Sequence, residues 1–316
     1  MRRASFLGLA VLALAAWTRG EVSLVEGRLS ADALIWANCC WQQTEQAGFT
    51  ESRFDFYRRA AFIGLTGHIS SVTSMRLYFD VGSVSAYDLY VGFHWPSGVG
   101  LLVGQFKPPL GFEALTKPYE LKFIEYSLVK NYWKPWNPRD VGAMLSYQTS
   151  LFELAGAVAN GNGINQGYQD DNDWKDVAGR VVLKPFEKFG LLLGIRGYYG
   201  RIGPDEDRFE NVATELLLDR EGFRIVAEAQ HSFWIHPRNS FYVQATYDLG
   251  LIEPVGRLHM ASHWDDKYEL GLTGGLNFRI LGDQLKVMLD YDYWRKVWAA
   301  DKGTEQKILL QIQATV

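Results

Sequence analysis

Apolar and polar residues alternate with a period of two along most of this chain. Tyr268, Leu270, Leu272, Gly274, Leu276, Phe278 and Ile280 fall on one parity, and Glu269, Thr273, Asn277 and Arg279 on the other. Successive side chains of a strand point to opposite faces, so this segment is a strand with one oily and one wet face. The pattern recurs in Leu285, Val287, Leu289, Tyr291 and Tyr293 against Lys286, Asp290 and Asp292. It recurs again in Phe223, Ile225, Ala227 and Ala229 against Arg224, Glu228 and Gln230. Earlier copies are Tyr87, Leu89, Val91 and Phe93, and Val177, Gly179, Val181 and Leu183.

Such segments number about sixteen, each near the roughly ten residues that cross an outer membrane at a tilt. Compact turns at Trp95 to Gly98, Gln148 to Ser150, Asp219 to Gly222 and Leu281 to Asp283 interleave with longer connections. Short turns at one end and long loops at the other are the asymmetry of a membrane barrel. The final segment alternates too, through Ile308, Leu310, Ile312 and Ala314. It predicts a strand that closes the sheet, since an open edge in hydrocarbon leaves backbone groups unpaired. The expected fold is an all-β, transmembrane antiparallel β-barrel of about sixteen strands. A soluble β-sandwich or surface adhesin also alternates. Against it stand charged residues at mid-strand and aromatics near strand ends, Tyr198, Tyr199, Phe241, Tyr291, Tyr293 and Trp294 among them, as interfacial girdles require.

Composition narrows the class further. The 316 residues include 18 Phe, 16 Tyr and 11 Trp with 31 Gly and only 10 Pro, which suits many twisted strands joined by turns. Arg2 and Arg3 followed by the apolar run Phe6 to Ala16 predict a secretory signal over residues 1–20, cleaved after Ala16 or Gly20. Residues 21–316 then form a single barrel domain. The formal charge of −4 argues against nucleic acid as a partner. Cys39 and Cys40 are adjacent, where a disulfide would be badly strained, so both read as residues of the wall.

The longest interruption of the alternation runs between Lys107 and Arg139, the third connection on the external side. Pro108 and Pro109 cannot donate ladder hydrogen bonds and end the strand, while Gly111 permits a sharp turn. At this point the sequence resembles the phosphate-selective porins O and P of Gram-negative outer membranes. Arg58-Arg59 with Gly64-Leu65 is similar to the family's early arginine-rich strand. Gly104-Gln105-Phe106-Lys107-Pro108 with Gly111-Phe112-Glu113 resembles the entry to its third loop, and Phe123-Ile124-Glu125 and Arg139-Asp140-Val141-Gly142 its middle and exit. Asn160-Gly161, Gly179-Arg180 and Pro185-Phe186 extend the likeness, which covers most of residues 54–200. Tyr126 departs from it, standing where members often carry an arginine. The resemblance implies a sixteen-stranded, commonly homotrimeric barrel in outer-membrane lipid. Its third loop would fold into the lumen, with lysines and arginines guiding anions, phosphate among them.

The anion-guiding candidates of this loop are Lys107, Lys117, Lys122, Lys130, Lys134 and Arg139, against the acidic Glu113, Glu120, Glu125 and Asp140. Selectivity depends on charge at the constriction, so a negative total charge does not exclude an anion pore. Lumen-facing basic candidates are Arg59, Arg76, Arg180, Arg196 and Arg224, with Lys286 on the same parity of its strand. Asp80, Asp88, Glu215, Glu228, Glu269, Asp290 and Asp292 oppose them, a mixture that also suits a non-selective pore for small solutes. Each basic residue has a plainer alternative as a salt bridge to a neighbouring strand. An enzyme is disfavoured: adjacent His231 and Ser232 point to opposite faces, and no nucleophile matches His259 and His263. The latter pair with Asp265 and Asp266, and Asp170, Asp171 and Asp173, lack metal-site spacing and read as solvated loop residues. No cofactor is implied.

Overall fold

The computed structural model describes residues 22–25, 28–46, 48–132, 139–164, 172–186, 189–202, 207–233, 238–262, 267–297 and 302–316. The expected signal segment 1–20, Lys134, Asp170, Asp171, His263, Asp265 and Asp266 lie outside them. The strands are β1 (Val22–Val25), β2 (Leu29–Gln46), β3 (Phe49–His68), β4 (Thr73–Asp80), β5 (Ser85–His94) and β6 (Val99–Phe106). After the third loop come β7 (Asp140–Gln148), β8 (Phe152–Ala159), β9 (Asp176–Phe186), β10 (Leu191–Ile202), β11 (Asp207–Arg220) and β12 (Phe223–Ser232). The remainder are β13 (Arg238–Tyr247), β14 (Ile252–Ser262), β15 (Tyr268–Asp283), β16 (Leu285–Val297) and β17 (Lys302–Thr315).

From β2 onward each strand pairs antiparallel with the next, and β17 returns to pair with β2 from Gly303↔Gln46 to Thr315↔Leu34. The sheet is therefore a closed barrel of sixteen strands, with β1 laid against the start of β2. One end carries tight turns, among them Trp95–Gly98 and Glu221–Gly222, where Gly98 and Gly222 take the positive φ that a short reversal demands. The other end carries the segment between β6 and β7 and that between β8 and β9.

The period of two decides what each face meets. On β15 Leu272 is 47% exposed, whereas Asp292 on the paired strand β16 is 1% exposed. Ile35, Ile63, Val103, Leu145, Val158, Ile195 and Ile312 are likewise open on the outer face. Lys286, Asp290, Glu215, Glu228, Arg196 and Arg257 are buried. This inverts the distribution of a water-soluble domain, and it is the distribution a barrel surrounded by hydrocarbon requires. A basic side chain on the outer face near the bilayer midplane would cost about 2–4 kcal/mol.

Two of the expected girdle aromatics belong to the inner face instead. Tyr198 is buried and its hydroxyl bonds to Asp176, and Trp294 packs against Leu128 and Ala261. Both sit on the wet parity of their strands: the Tyr198 hydroxyl finds Asp176, whereas the Trp294 ring is held by packing and its Nε1 has no hydrogen-bond partner among the described residues. The two cysteines are free and, being successive, point apart, with Cys40 packed against Ile124, Met288 and Leu309.

Candidate functional site

The third loop begins with Lys107, and Gly111 follows with φ +123°. A Cβ at Gly111 would press into the Glu228 carboxylate and the Arg196 guanidinium, so this turn admits only glycine. Next come a single helical turn, α1 (Phe112–Leu115), and two short 3-10 turns, Pro118–Glu120 and Leu128–Tyr132. So irregular a segment leaves most backbone donors and acceptors without helix or sheet partners.

Inward side chains of strands far around the sheet supply those partners. The Glu113 amide donates to Glu228 Oε1 of β12 at 2.8 Å, and the Ile124 amide to Asp290 Oδ2 of β16 at 2.7 Å. The Leu128 amide donates to His259 Nδ1 of β14 at 3.2 Å. In the other direction, Asn277 of β15 donates to the Lys122 carbonyl at 3.0 Å, and Lys286 of β16 to the carbonyls of Tyr119 and Leu121 at 2.8 and 2.9 Å. Gln313 of β17 donates to the Tyr119 carbonyl at 2.9 Å. Two carboxylates and an imidazole thus accept the loop's amides, while an ammonium and two carboxamides donate to its carbonyls. His259, expected in a solvated loop, is instead fully buried beside Trp294, ring centroids 4.6 Å apart, and a Cβ at Gly271 would collide with it.

Several predicted basic residues have carboxylate partners. Lys122 pairs with Glu253 at 2.8 Å, Arg139 with Asp88 at 2.6 Å, Arg59 with Glu125 at 3.3 Å and Arg224 with Asp219 at 3.6 Å. Arg76 forks onto Asp32, with one nitrogen at 2.9 Å from Oδ2 and another 2.7 Å from the Thr66 hydroxyl. Arg180 bonds Glu215 at 2.6 Å, and Arg196 lies between Glu215 and Glu228 at 3.7 and 3.8 Å while donating to Gln230 at 2.7 Å. Lys107 donates to the carbonyls of Ala114 and Thr116 at 2.6 and 3.2 Å. Burial, reinforced by nearby Arg139, pushes its ammonium down to about 7. Lys117 is exposed, 4.0 Å from Glu120. Lys130 lies 4.1 Å from the centre of the Tyr126 ring, and the Arg59 guanidinium carbon 5.9 Å from it. The tyrosine that departs from the family pattern therefore holds two cations on its ring.

Between the β2–β5 wall and residues 115–119 of the loop lies a cavity of about 490 Å³. Arg76, Lys107, Lys117 and Arg139 line it against Asp32 and Asp88, together with Tyr78, Tyr90 and Tyr119. Of the basic candidates these four converge, whereas Lys122, Arg180, Arg196 and Arg224 do not line it. A second cavity of about 350 Å³ is lined by Cys40, Arg53, Tyr57, Glu125 and Lys307. Sequence reasoning passed over Asp32, Lys307 and the tyrosines, although all lie on the inward parity or in the loop.

The anion-selective porin of Comamonas acidovorans superposes with a TM-score of 0.71 at 11% identity, covering 91% of this chain and 99% of that one. The outer-membrane channel DcaP of Acinetobacter baumannii gives 0.69 at 8% identity, with 91% and 97% covered. OmpT of Vibrio cholerae in its trimer form gives 0.61 at 9% identity, with 92% and 100% covered. At these identities the likeness is one of fold. No curated protein matches in sequence. The family model for phosphate-selective porin O and P matches residues 41–205, more than half of the chain and including the whole third loop; the chain belongs to that family of outer-membrane porins.

Proposed function

We propose that this porin passes small hydrophilic solutes by diffusion with a preference for anions, phosphate among them, and that its third loop crosses the lumen and confines the path to the β2–β5 side. One observation carries the reading. The loop is bonded to inward groups of β12, β14, β15, β16 and β17, and beside its free flank four cations face two carboxylates. A narrow, low-dielectric passage focuses the field of such an excess, so a few unbalanced charges govern which ion enters. An anion-selective porin among the structural neighbours supports the same sign, and a neighbour in trimer form supports assembly as a homotrimer. Residues 1–20 serve as the export signal in this reading, and the mature protein works as a channel and not as an enzyme.

The test is conductance in planar bilayers under a KCl gradient. Stepwise openings with a reversal potential of the anion sign are expected, and deletion of residues 112–130 should raise the single-channel conductance. A cation-sign potential would overturn the preference, and unchanged conductance after the deletion would overturn the loop's placement.

A further inference from the structure

The cavity beside the third loop is not simply basic. Its cations are interleaved with rings: the Arg76 guanidinium carbon lies 5.0 Å from the Tyr78 ring centre, and the Lys117 ammonium 5.5 Å from that of Tyr119. Tyr90 faces the same space, and Leu115 and Pro118 complete an apolar stretch of the loop side. Arg76 and Arg139 already hold Asp32 and Asp88, while Lys107 is bonded to two carbonyls and the exposed Lys117 has Glu120 at 4.0 Å, so among the described residues these two lysines are the cations of this cavity with no carboxylate at hydrogen-bond distance.

We infer that this cavity is a binding site for aromatic carboxylates, the carboxylate meeting Lys117 and Lys107 while the planar body lies against Tyr90 and Tyr119. The inference rests on the anion-porin reading above and adds a solute class to it. A compact, strongly hydrated inorganic anion gains nothing from ring faces or from Leu115 and Pro118, and loses water on entering. A planar organic anion uses both halves of the lining, because aromatic faces attract another ring by offset or edge contact while the ammonium groups take its charge. The volume of about 490 Å³ falls in the range of sites for small organic ligands.

The experiment titrates benzoate, acetate and inorganic phosphate into open channels in planar bilayers and reads current block, with the KCl reversal potential measured on the same channels. Half-block by benzoate is expected at a concentration about tenfold below that of acetate, the advantage of one aromatic contact, and below that of phosphate. Replacing Tyr90→Leu and Tyr119→Leu together should bring benzoate and acetate to parity, whereas Tyr119→Phe, which keeps the ring, should retain the preference. Equal block by all three anions in an anion-selective wild-type channel would overturn the solute class and leave the porin reading standing. A preference that survives the double leucine variant would show that these rings do not make the site. A cation-selective channel would overturn both readings.

Discussion

The backbone amide of Glu113 donates to the carboxylate of Glu228 at 2.8 Å, joining the third loop to strand β12 across 115 positions of sequence. The same carboxylate accepts the Tyr242 hydroxyl at 2.7 Å and lies 3.8 Å from Arg196. One side chain therefore anchors the loop and balances a buried guanidinium. Glu228→Ala should destabilise the barrel by about 2–4 kcal/mol, since it strips a buried amide, a hydroxyl and a cation of a partner at once. Glu228→Gln should cost less, because it still accepts the amide. Guanidinium unfolding in lipid, followed by heat-modifiable gel migration, measures the difference.

Position within the loop should separate its lysines functionally. Lys117 is exposed in the cavity, whereas Lys122 is held by Glu253 at 2.8 Å. Lys117→Glu is expected to lower the anion-to-cation permeability ratio by about twofold or more, the effect of reversing one focused charge. Lys122→Gln should leave that ratio unchanged and weaken the loop's attachment to β14. Reversal potentials in a KCl gradient decide both. An equal effect of the two variants would mean that pairing with Glu253 does not silence Lys122.

Lys107 supplies a pH dependence with a definite sign. Its ammonium is pushed down from 10.5 to about 7 by burial. The positive charge is present below that value and lost as pH rises through it, so anion preference should fall between pH 6 and pH 8, by about twofold for one charge at a constriction. For stability the sign is opposite. Between about 7 and 10.5 the unfolded chain binds the additional proton, so this group's contribution to stability rises with pH across that window. Lys107→Arg, charged throughout, should flatten the selectivity profile.

The collision that a Cβ at Gly271 would meet is with the His259 ring, whose Nδ1 receives the Leu128 amide. Gly271→Ala should cost about 1–3 kcal/mol through overpacking and loosen the loop near Leu128. Gly271→Ala with His259→Ala should recover the steric part but not the hydrogen bond. Thermal midpoints of these two variants and of His259→Ala alone, in one lipid, measure the coupling.

Strand existence and the identity of the two faces were legible because they are local. Leu285, Val287 and Leu289 against Lys286 and Asp290 state the lipid side and the wet side within six residues. The loop's entry was legible for the same reason, since Pro108, Pro109 and Gly111 act on their own backbone. What the wet side touches is not local. Nothing near Lys122 announces Glu253, nothing near Tyr198 announces Asp176, and Trp294 carries the composition of a girdle while covering His259. These partners come from other strands, set alongside or across the lumen when the sheet forms, so the pairing became visible only with the fold.

Closure also fixes how wide the barrel is. Across the seam between β17 and β2, Trp36 Nε1 donates to Gln313 Oε1 at 2.8 Å and Asn38 Nδ2 to Gln311 Oε1 at 3.1 Å, bonds between residues 277 and 273 apart. A one-residue slip there would send one strand's lumen groups into hydrocarbon, and a two-residue slip would alter the stagger that sets strand tilt and diameter. The two inward hydrogen bonds act as a ratchet tooth at a joint whose two strands are not consecutive in the chain, so the calibre of the whole tube is written in part into four side chains, one of which, Gln313, also holds the third loop by the Tyr119 carbonyl.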